Sequence, residues 1–207
     1  MIKKCFLLNA LLVLSVTSYA EPLDPVKLLS SYVGIDTVNP PGNESRAVDF
    51  YAKIFEEEGI EFSSAESAPG RGNIWARIKG GDLPALVLLQ HTDVVPATKK
   101  YWDTDPFVAE IKDGYLYGRG VIDMKGAGIS QLVSFIRLHR SGLSLNRDVV
   151  FVATADEEAG GMFGAGWLID NHPEIFEGAG FVINEGGSGQ IIDGEKVFAI
   201  EITQKVP

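Results

Sequence analysis

The sequence predicts an α/β protein in which helices cover both faces of a mixed, largely parallel sheet. Apolar runs of strand length alternate with helically spaced segments from Ala85 onward. These runs are nearly continuous, as expected of strands that are buried on both faces. Several of them end in polar residues, at the edge of the sheet where proteins of this class hold their sites. With 207 residues, 45% of them apolar, the chain is long enough to bury a sizeable core.

The first twenty residues have the features of a secretory signal peptide. Lys3 and Lys4 precede an apolar run, Cys5 to Val16, and Ser18 and Ala20 place small residues at a cleavage site. The apolar run is shorter than the roughly 20 residues that a spanning helix needs. We therefore expect an exported protein, periplasmic or secreted, with no membrane segment after cleavage.

Charge and cysteine content restrict the chemistry of the mature chain. Cleavage after Ala20 leaves 16 basic and 28 acidic side chains, a net charge of −12, which argues against a nucleic-acid partner. Cleavage also removes Cys5, the only cysteine. The mature chain then has neither a disulfide nor a cysteine nucleophile, so a metal site must consist of His, Asp and Glu.

Two helices are predicted at the start of the mature chain. Apolar residues at helical spacing indicate the first, from Pro25 to Val33. A second helix is expected to be capped by Asn43 or Ser45 and to end at Gly59. Its buried face is expected to consist of Ala47, Phe50, Tyr51, Ile54 and Phe55.

Strand patterns follow the second helix. Alternation in Ile60 to Ser64 and in Asn73 to Lys79 predicts antiparallel strands at one edge of the sheet. The stretch Leu86 to Pro96, LVLLQHTDVVP, indicates a central strand that delivers a histidine and an aspartate to its carboxyl end. Asp113 and Gly114 predict a tight hairpin turn.

The second half of the chain repeats the pattern of strands that run into acidic residues. A glycine-rich segment at 118–126 leads into a helix from Ala127 to Arg140. The remaining predicted elements are a strand from Asp148 to Ala155, a short helix from Phe163 to Asn171, a strand at 180–184 and two final strands at 190–193 and 197–203 that are joined by a turn at Gly194.

Polar residues stand at four of these strand or loop ends: His91 with Asp93, Asp123, Glu157 with Glu158, and Glu185. Each alone is weak evidence, because a strand-end histidine is often a hydrogen-bonded core residue and acidic residues often cap loops. Together at one sheet edge, the carboxylates would repel one another and lose hydration unless cations neutralised them.

Two divalent ions suit this inventory better than one. Asp123 could bridge two metals about 3.5–4 Å apart, which leaves His91 and Glu185 for one ion and Glu158 for the other. Imidazole with carboxylates favours zinc, with cobalt or manganese as substitutes. Asp93 lies two residues from His91 and so faces the same way on a strand, where it can accept the other ring N–H.

The adjacent glutamates, Glu157 and Glu158, have two interpretations. An isolated pair of this kind would be a solvated turn. Directly after an apolar strand, one can bind metal while the other serves as the general base that takes a proton from metal-activated water.

Four segments in this order, HTDVVP, GRGVIDMKG, ATADEEAGG and INEGG, resemble the co-catalytic zinc metallopeptidases of the aminoacylase and carboxypeptidase S group. Relatives of that group include glutamate carboxypeptidase and succinyl-diaminopimelate desuccinylase. The resemblance implies that residues 21–207 are the N-terminal portion of the catalytic domain. It also implies specific roles: His91 and Glu185 on one zinc, Asp123 as the bridge, Glu158 on the second zinc, Glu157 as the base and Asp93 as the partner of His91.

The implied function is hydrolysis of an amide bond in a peptide or N-acyl amino acid that carries a free carboxylate. A deacylase such as a desuccinylase is an alternative with the same chemistry. A non-catalytic metal- or partner-binding module is the alternative from another class.

The sequence departs from this group after the last strands. Members of the group have a lid or dimerisation domain there and a later histidine ligand, and nothing in this sequence matches either. His139 and His172 are expected in or near helices, away from the strand ends. The expectation is a truncated or partial chain, inactive by itself and one ligand short at the second metal, with a homodimer as one assembly of the full-length protein.

Overall fold

A computed structural model describes residues 22–186, 188–193 and 195–199. The predicted signal peptide and residues 200–203 of the last predicted strand lie outside the described residues. Within the described ranges, none of the helices is long and apolar enough to cross a membrane.

The described residues form four α-helices and nine strands, at the places that the sequence predicts and with small shifts of their ends. In chain order they are α1 (Pro25–Val33), α2 (Ser45–Glu58), β1 (Phe62–Glu66), β2 (Gly72–Ile78), β3 (Leu83–His91), β4 (Glu110–Lys112), β5 (Tyr115–Tyr117), α3 (Gly126–Ser141), β6 (Arg147–Thr154), α4 (Ala165–Asn171), β7 (Ala179–Ile183), β8 (Ser188–Ile192) and β9 (Glu195–Ala199).

Five strands form the main sheet, in the order β1-β2-β6-β3-β7. Strand β3 pairs in parallel with both β6 and β7, whereas β2 pairs antiparallel with β1 and β6. Only β2 among these five therefore runs in the opposite direction. The prediction of a largely parallel sheet with antiparallel strands at one edge is confirmed, and β3 is an interior strand with a neighbour on each side. The hairpin β4-β5 and the pair β8-β9 form separate two-stranded sheets.

Helices cover both faces of the sheet, as the sequence predicts. Strand β6 shows the division, because its alternate side chains enter different cores. Val149, Phe151 and Ala153 pack against α1, α2 and α3, while Val150 and Val152 pack with Leu168 of α4 on the other face. All five of these β6 side chains are almost fully buried.

The start of α2 corrects one prediction, since neither Asn43 nor Ser45 caps it. Glu44 occupies the cap position and makes no side-chain capping bond. Its carboxylate instead contacts the guanidinium of Arg71 at 2.6 Å, and the Ser45 hydroxyl donates to Glu66. A tertiary partner has thus overridden the local capping preference. Gly59 ends the helix with φ 64°, as predicted.

The strand register brings the polar strand ends together. His91 at the end of β3 lies opposite Thr154 at the end of β6, and Leu88 lies opposite Ile183 at the end of β7. Because the three strands are parallel, the residues that follow each of them emerge at the same edge of the sheet.

Candidate metal centre

The centre of this edge is His91, whose ring is buried and faces three carboxylates. Its Nε2 lies 3.0 Å from Asp123 Oδ1, 3.5 Å from Glu185 Oε2 and 3.9 Å from Glu157 Oε2. The His91 side chain is 1% exposed, whereas that of Asp123 is 57% exposed. The cluster is therefore anchored in the core on the imidazole side and open to solvent on the carboxylate side.

Two overlapping groups of donors in this cluster could each hold a metal ion. His91, Asp123 and Glu158 form one, and His91, Glu157 and Glu185 form the other, with one donor atom per residue and all atoms of a group within 4.8 Å of one another. One imidazole with carboxylates is a donor set that fits zinc, cobalt or manganese. The structure thus brings the predicted ligands and the predicted base together. Which of Glu157 and Glu158 binds metal stays a prediction.

Asp93 is fully buried beneath the cluster and contacts both His91 and the glutamate loop. His91 Nδ1 lies 3.0 Å from the backbone carbonyl oxygen of Asp93 and 3.4 Å from its Oδ1. The carbonyl is the nearer acceptor, so the backbone of Asp93 orients the ring together with the predicted carboxylate. The carboxylate also accepts the backbone N–H of Glu157 at 3.0 Å and that of Glu158 at 3.1 Å. This second contact is not evident from the sequence.

The glycine-rich segment that carries Asp123 is fixed to the core by the two residues that follow. Met124 is 1% exposed, and its sulfur accepts the backbone N–H of His91 at 3.2 Å. The buried Lys125 ammonium donates to the carbonyl oxygens of Tyr32 at 3.0 Å and Ile35 at 2.7 Å. Burial lowers the pKa of Lys125 to about 8 although Asp36 opposes the shift.

The electrostatics of the cluster show the charge conflict that the sequence predicts. Burial by itself would lower the pKa of His91, but the hydrogen bond and charge of Asp93 and the charges of Glu185 and Glu157 outweigh burial and raise it to about 9. Burial, and next to it the charge of Asp123, raises the pKa of Glu158. Burial also raises the pKa of Glu185. A divalent cation at this position would relieve the repulsion among the carboxylates and displace the proton of His91.

The comparisons with known proteins agree with these features. A family model described as peptidase family M20/M25/M40 matches residues 87–204, more than half of the chain. The chain belongs to this peptidase family. The resemblance stated from the four sequence segments is thereby confirmed.

Individual members of the M20/M25/M40 family are similar in sequence to the greater part of this chain. Aminoacylase-1B of Rattus norvegicus is 34% identical over 164 residues, 78% of this chain and 40% of the rat protein. Succinyl-diaminopimelate desuccinylase of Methylorubrum populi is 37% identical over 153 residues, 70% of this chain and 38% of that protein. The structure of an M20 family metallo-carboxypeptidase from Sulfolobus solfataricus superposes with a TM-score of 0.68 at 22% identity and covers 80% of this chain and 38% of that one, which supports the fold. The chain spans about 40% of the length of the rat relative.

The other two described histidines of the M20/M25/M40 chain lie outside the cluster, as predicted. His139 is exposed in the last turn of α3. His172 follows α4 and packs near Trp75 and Trp167, with ring centroids 5.0 and 5.2 Å away. Its Nδ1 also lies 3.1 Å from Glu174 Oε1.

The sequence predicts no role in the site for a set of polar residues that lie behind Asp93 with little exposure to solvent. These residues, which we call the support network, are Asn39, Glu44, Arg71 and Asp156. Two features of the sequence point towards them. Asn39 lies in the Asn-Pro-Pro-Gly loop between the first two helices, and Asp156 directly precedes the two glutamates.

Proposed function

We propose that the complete protein is an exported zinc-dependent hydrolase that cleaves an amide bond in peptides or N-acyl amino acids. The observation that carries the proposal is the convergence of one buried imidazole and four carboxylates at one sheet edge of an M20/M25/M40 family member. The names of the relatives support the substrate class, since one is an aminoacylase and another a desuccinylase.

In this proposal the protein holds two zinc ions. His91 and Glu185 would hold one, Glu158 the other, and Asp123 would bridge them. When bound, such ions polarise the scissile carbonyl and make water a stronger acid. The partly exposed position of Asp123 supports the bridging role, because its carboxylate oxygens have room on the solvent side.

Glu157 would move the protons of the reaction. Its carboxylate is half exposed and lies on the same side of His91 as the other donors, with Oε2 3.9 Å from the ring nitrogen. From there it would take a proton from the attacking water and pass it to the nitrogen of the leaving amine. Asp93 would hold the backbone N–H groups of Glu157 and Glu158, so that the base and the ligand keep their positions relative to His91.

A substrate panel tests the proposed function on the complete protein. We expect hydrolysis of dipeptides or N-acetyl amino acids, loss of activity with a chelator, and recovery on addition of zinc, cobalt or manganese. The measurement is release of free amine, with and without metal. A preference for N-succinyl substrates would favour the desuccinylase alternative, which the Methylorubrum relative supports. Failure to cleave any amide while metal is bound would instead indicate a non-catalytic module.

Export is a separate part of the proposal. We expect the mature protein to be found outside the cytoplasm and to begin at Glu21, because Ala20 is the last residue of the small-residue cleavage site. N-terminal sequencing of the protein from extracytoplasmic and cytoplasmic fractions measures this. A variant with Ala20→Phe should retain the leader, since a bulky residue replaces the small one. Mature protein that keeps Met1 and stays in the cytoplasm would contradict the assignment.

A further inference from the structure

The guanidinium of Arg71 is the centre of the support network, and the other three members surround it. The Arg71 side chain is only 11% exposed. One nitrogen, Nη1, donates to Glu44 Oε1 at 2.6 Å. The other, Nη2, donates to Asn39 Oδ1 at 3.0 Å and lies 3.4 Å from Asp156 Oδ1. Glu44, Asn39 and Asp156 are 0%, 3% and 2% exposed. Arg71 therefore joins three segments of the chain in a region that is largely closed to solvent.

Asn39 connects this network to the metal centre. Its Nδ2 donates to Asp93 Oδ2 at 2.8 Å and to Asp156 Oδ1 at 3.2 Å. Its backbone N–H donates to the carbonyl of Val94 at 2.9 Å, which fixes the loop beside the end of β3. Since Asp93 also holds His91 and the N–H groups of the glutamate loop, Arg71 is one side chain removed from the group that organises the site.

Asp156 also connects Arg71 to the glutamates, because it contacts Arg71 and directly precedes Glu157 in the chain. Its backbone has φ 70°, a conformation that costs energy for a residue other than glycine and persists only where the surroundings enforce it. Its N–H donates to Glu44 Oε1 at 3.3 Å, and its Oδ2 accepts the N–H of Phe163 at 3.1 Å. The loop that carries Glu157 and Glu158 is therefore held at both ends by Asp156.

The charges explain why an arginine suits this position. Glu44, Asp93 and Asp156 are buried acidic groups that share a small volume, and Arg71 makes direct contact with two of them. If the positive charge of Arg71 were lost, the carboxylates of Glu44 and Asp156 would stay buried without their cationic partner. This would lower the stability of the folded protein. A planar fork of donors also reaches three acceptors at once, whereas a lysine offers one point charge.

We propose that Arg71 is a positioning residue of the metal centre, acting through Asn39 and Asp156 on Asp93 and on the loop that carries Glu157 and Glu158. The inference rests on the proposed function in that it assumes a divalent ion at His91. It predicts that changes at Arg71 alter the coordination of that ion and the order of residues 156–163, in addition to any effect on global stability.

The test compares Arg71→Met with Arg77→Met. Arg77 is a matched control because it is also a partly buried arginine in an ion pair, 2.9 Å from Asp148, but it lies opposite Val150, far along β6 from the site. Co²⁺ affinity is measured by competition with a chelating dye, the coordination by the visible spectrum of bound Co²⁺, and stability by thermal unfolding. We expect Arg71→Met to weaken Co²⁺ binding by about 10- to 100-fold and to alter the spectrum. Arg77→Met should lower only the melting temperature, and Arg71→Lys should lie between the parent and Arg71→Met.

Two further measurements keep the proposal decidable. Hydrogen exchange of residues 156–163 in the metal-free protein should accelerate in Arg71→Lys and Asn39→Ala but not in Arg77→Met, and this readout needs no bound metal. The double variant of Asn39→Ala with Arg71→Lys should show non-additive effects, because the two residues act in series.

Unchanged exchange, or an unchanged Co²⁺ spectrum in the Arg71 variants, would overturn the proposal. A parent protein that binds no Co²⁺ but shows the expected exchange pattern would overturn the proposed metal function and leave the positioning role of Arg71 supported.

Discussion

Replacement of Glu157 by glutamine is expected to lower the turnover of the complete protein by about 10²–10⁴-fold. Glutamine keeps the size of the side chain but has no carboxylate to accept a proton from the attacking water. The backbone of residue 157 stays held by Asp93, since the contact is made by its N–H group. The change should therefore remove the base without moving its neighbours. The measurement is turnover number with metal saturating, together with metal content of the purified variant.

Metal content separates the two glutamates. If Glu157 is the base and Glu158 the ligand, Glu157→Gln keeps its metal, whereas Glu158→Gln loses affinity for the second ion. Both residues belong to donor groups with His91, so the opposite result is a meaningful outcome. Loss of metal in Glu157→Gln, or near-normal turnover, would show that the roles are assigned wrongly. Glu174→Gln is the control, because the exposed carboxylate of Glu174 contacts His172, which lies outside the cluster, and the change should affect neither quantity.

Local patterns were sufficient to predict much of the fold. The continuous apolar run from Val149 to Ala153 in β6 and the helical spacing in α2 are local patterns, and both elements form where these patterns lie. The start of α2 was predicted wrongly for a reason that no local pattern contains. Glu44 contacts Arg71, which is 27 residues away, and this contact replaces the capping bond.

The residues of the candidate site also fall into two groups, those that the sequence predicts and those that it does not. His91 and Glu185 could be identified because polar residues after parallel strands meet at one edge, whatever the length of the connections. Asp123 follows no strand of this sheet and could be identified only from the glycine-rich segment at 118–126 that carries it. The support network could not, because no local pattern shows that its members meet. Asn39 and Asp156 are 117 residues apart, and each is an ordinary loop residue in sequence. Their role depends on the burial of Arg71 between them, which only the folded chain creates.

Metal affinity is expected to rise steeply with pH, by about tenfold for each unit between pH 6.5 and 8.5, or about 100-fold in total. Without metal, the pKa of His91 is raised to about 9 because the Asp93, Glu185 and Glu157 carboxylates outweigh the opposing effect of burial. Over this pH range the His91 ring of the metal-free protein is therefore mainly the cation, with a proton on both nitrogens. A metal ion binds only the neutral imidazole. The ion that binds to His91 must displace that proton, so its apparent dissociation constant falls as pH rises and levels off above about pH 9.

Titration calorimetry with Co²⁺ in two buffers of different ionisation enthalpy measures this prediction, because it counts released protons directly. One proton per first ion is expected at pH 7. The control is His172→Asn, since this histidine packs near Trp75 and Trp167 outside the cluster and should leave the slope intact. A pH-independent affinity between pH 6.5 and 8.5 would contradict the protonated state of His91, as would loss of the slope in His172→Asn.

The same proton gives metal-free and metal-bound protein different dependences of stability on pH. The folded-state pKa of His91 lies above its ordinary value of about 6.5, so its contribution to metal-free stability is complete below pH 6.5 and is lost as pH rises through about 9. Bound metal instead stabilises more as its affinity increases with pH. The difference in melting temperature between the two forms should therefore widen from pH 6.5 to pH 8.5. His91→Asn should abolish most of that widening, because it removes both the proton and the ligand, whereas a widening that survived this change would assign the effect to the carboxylates.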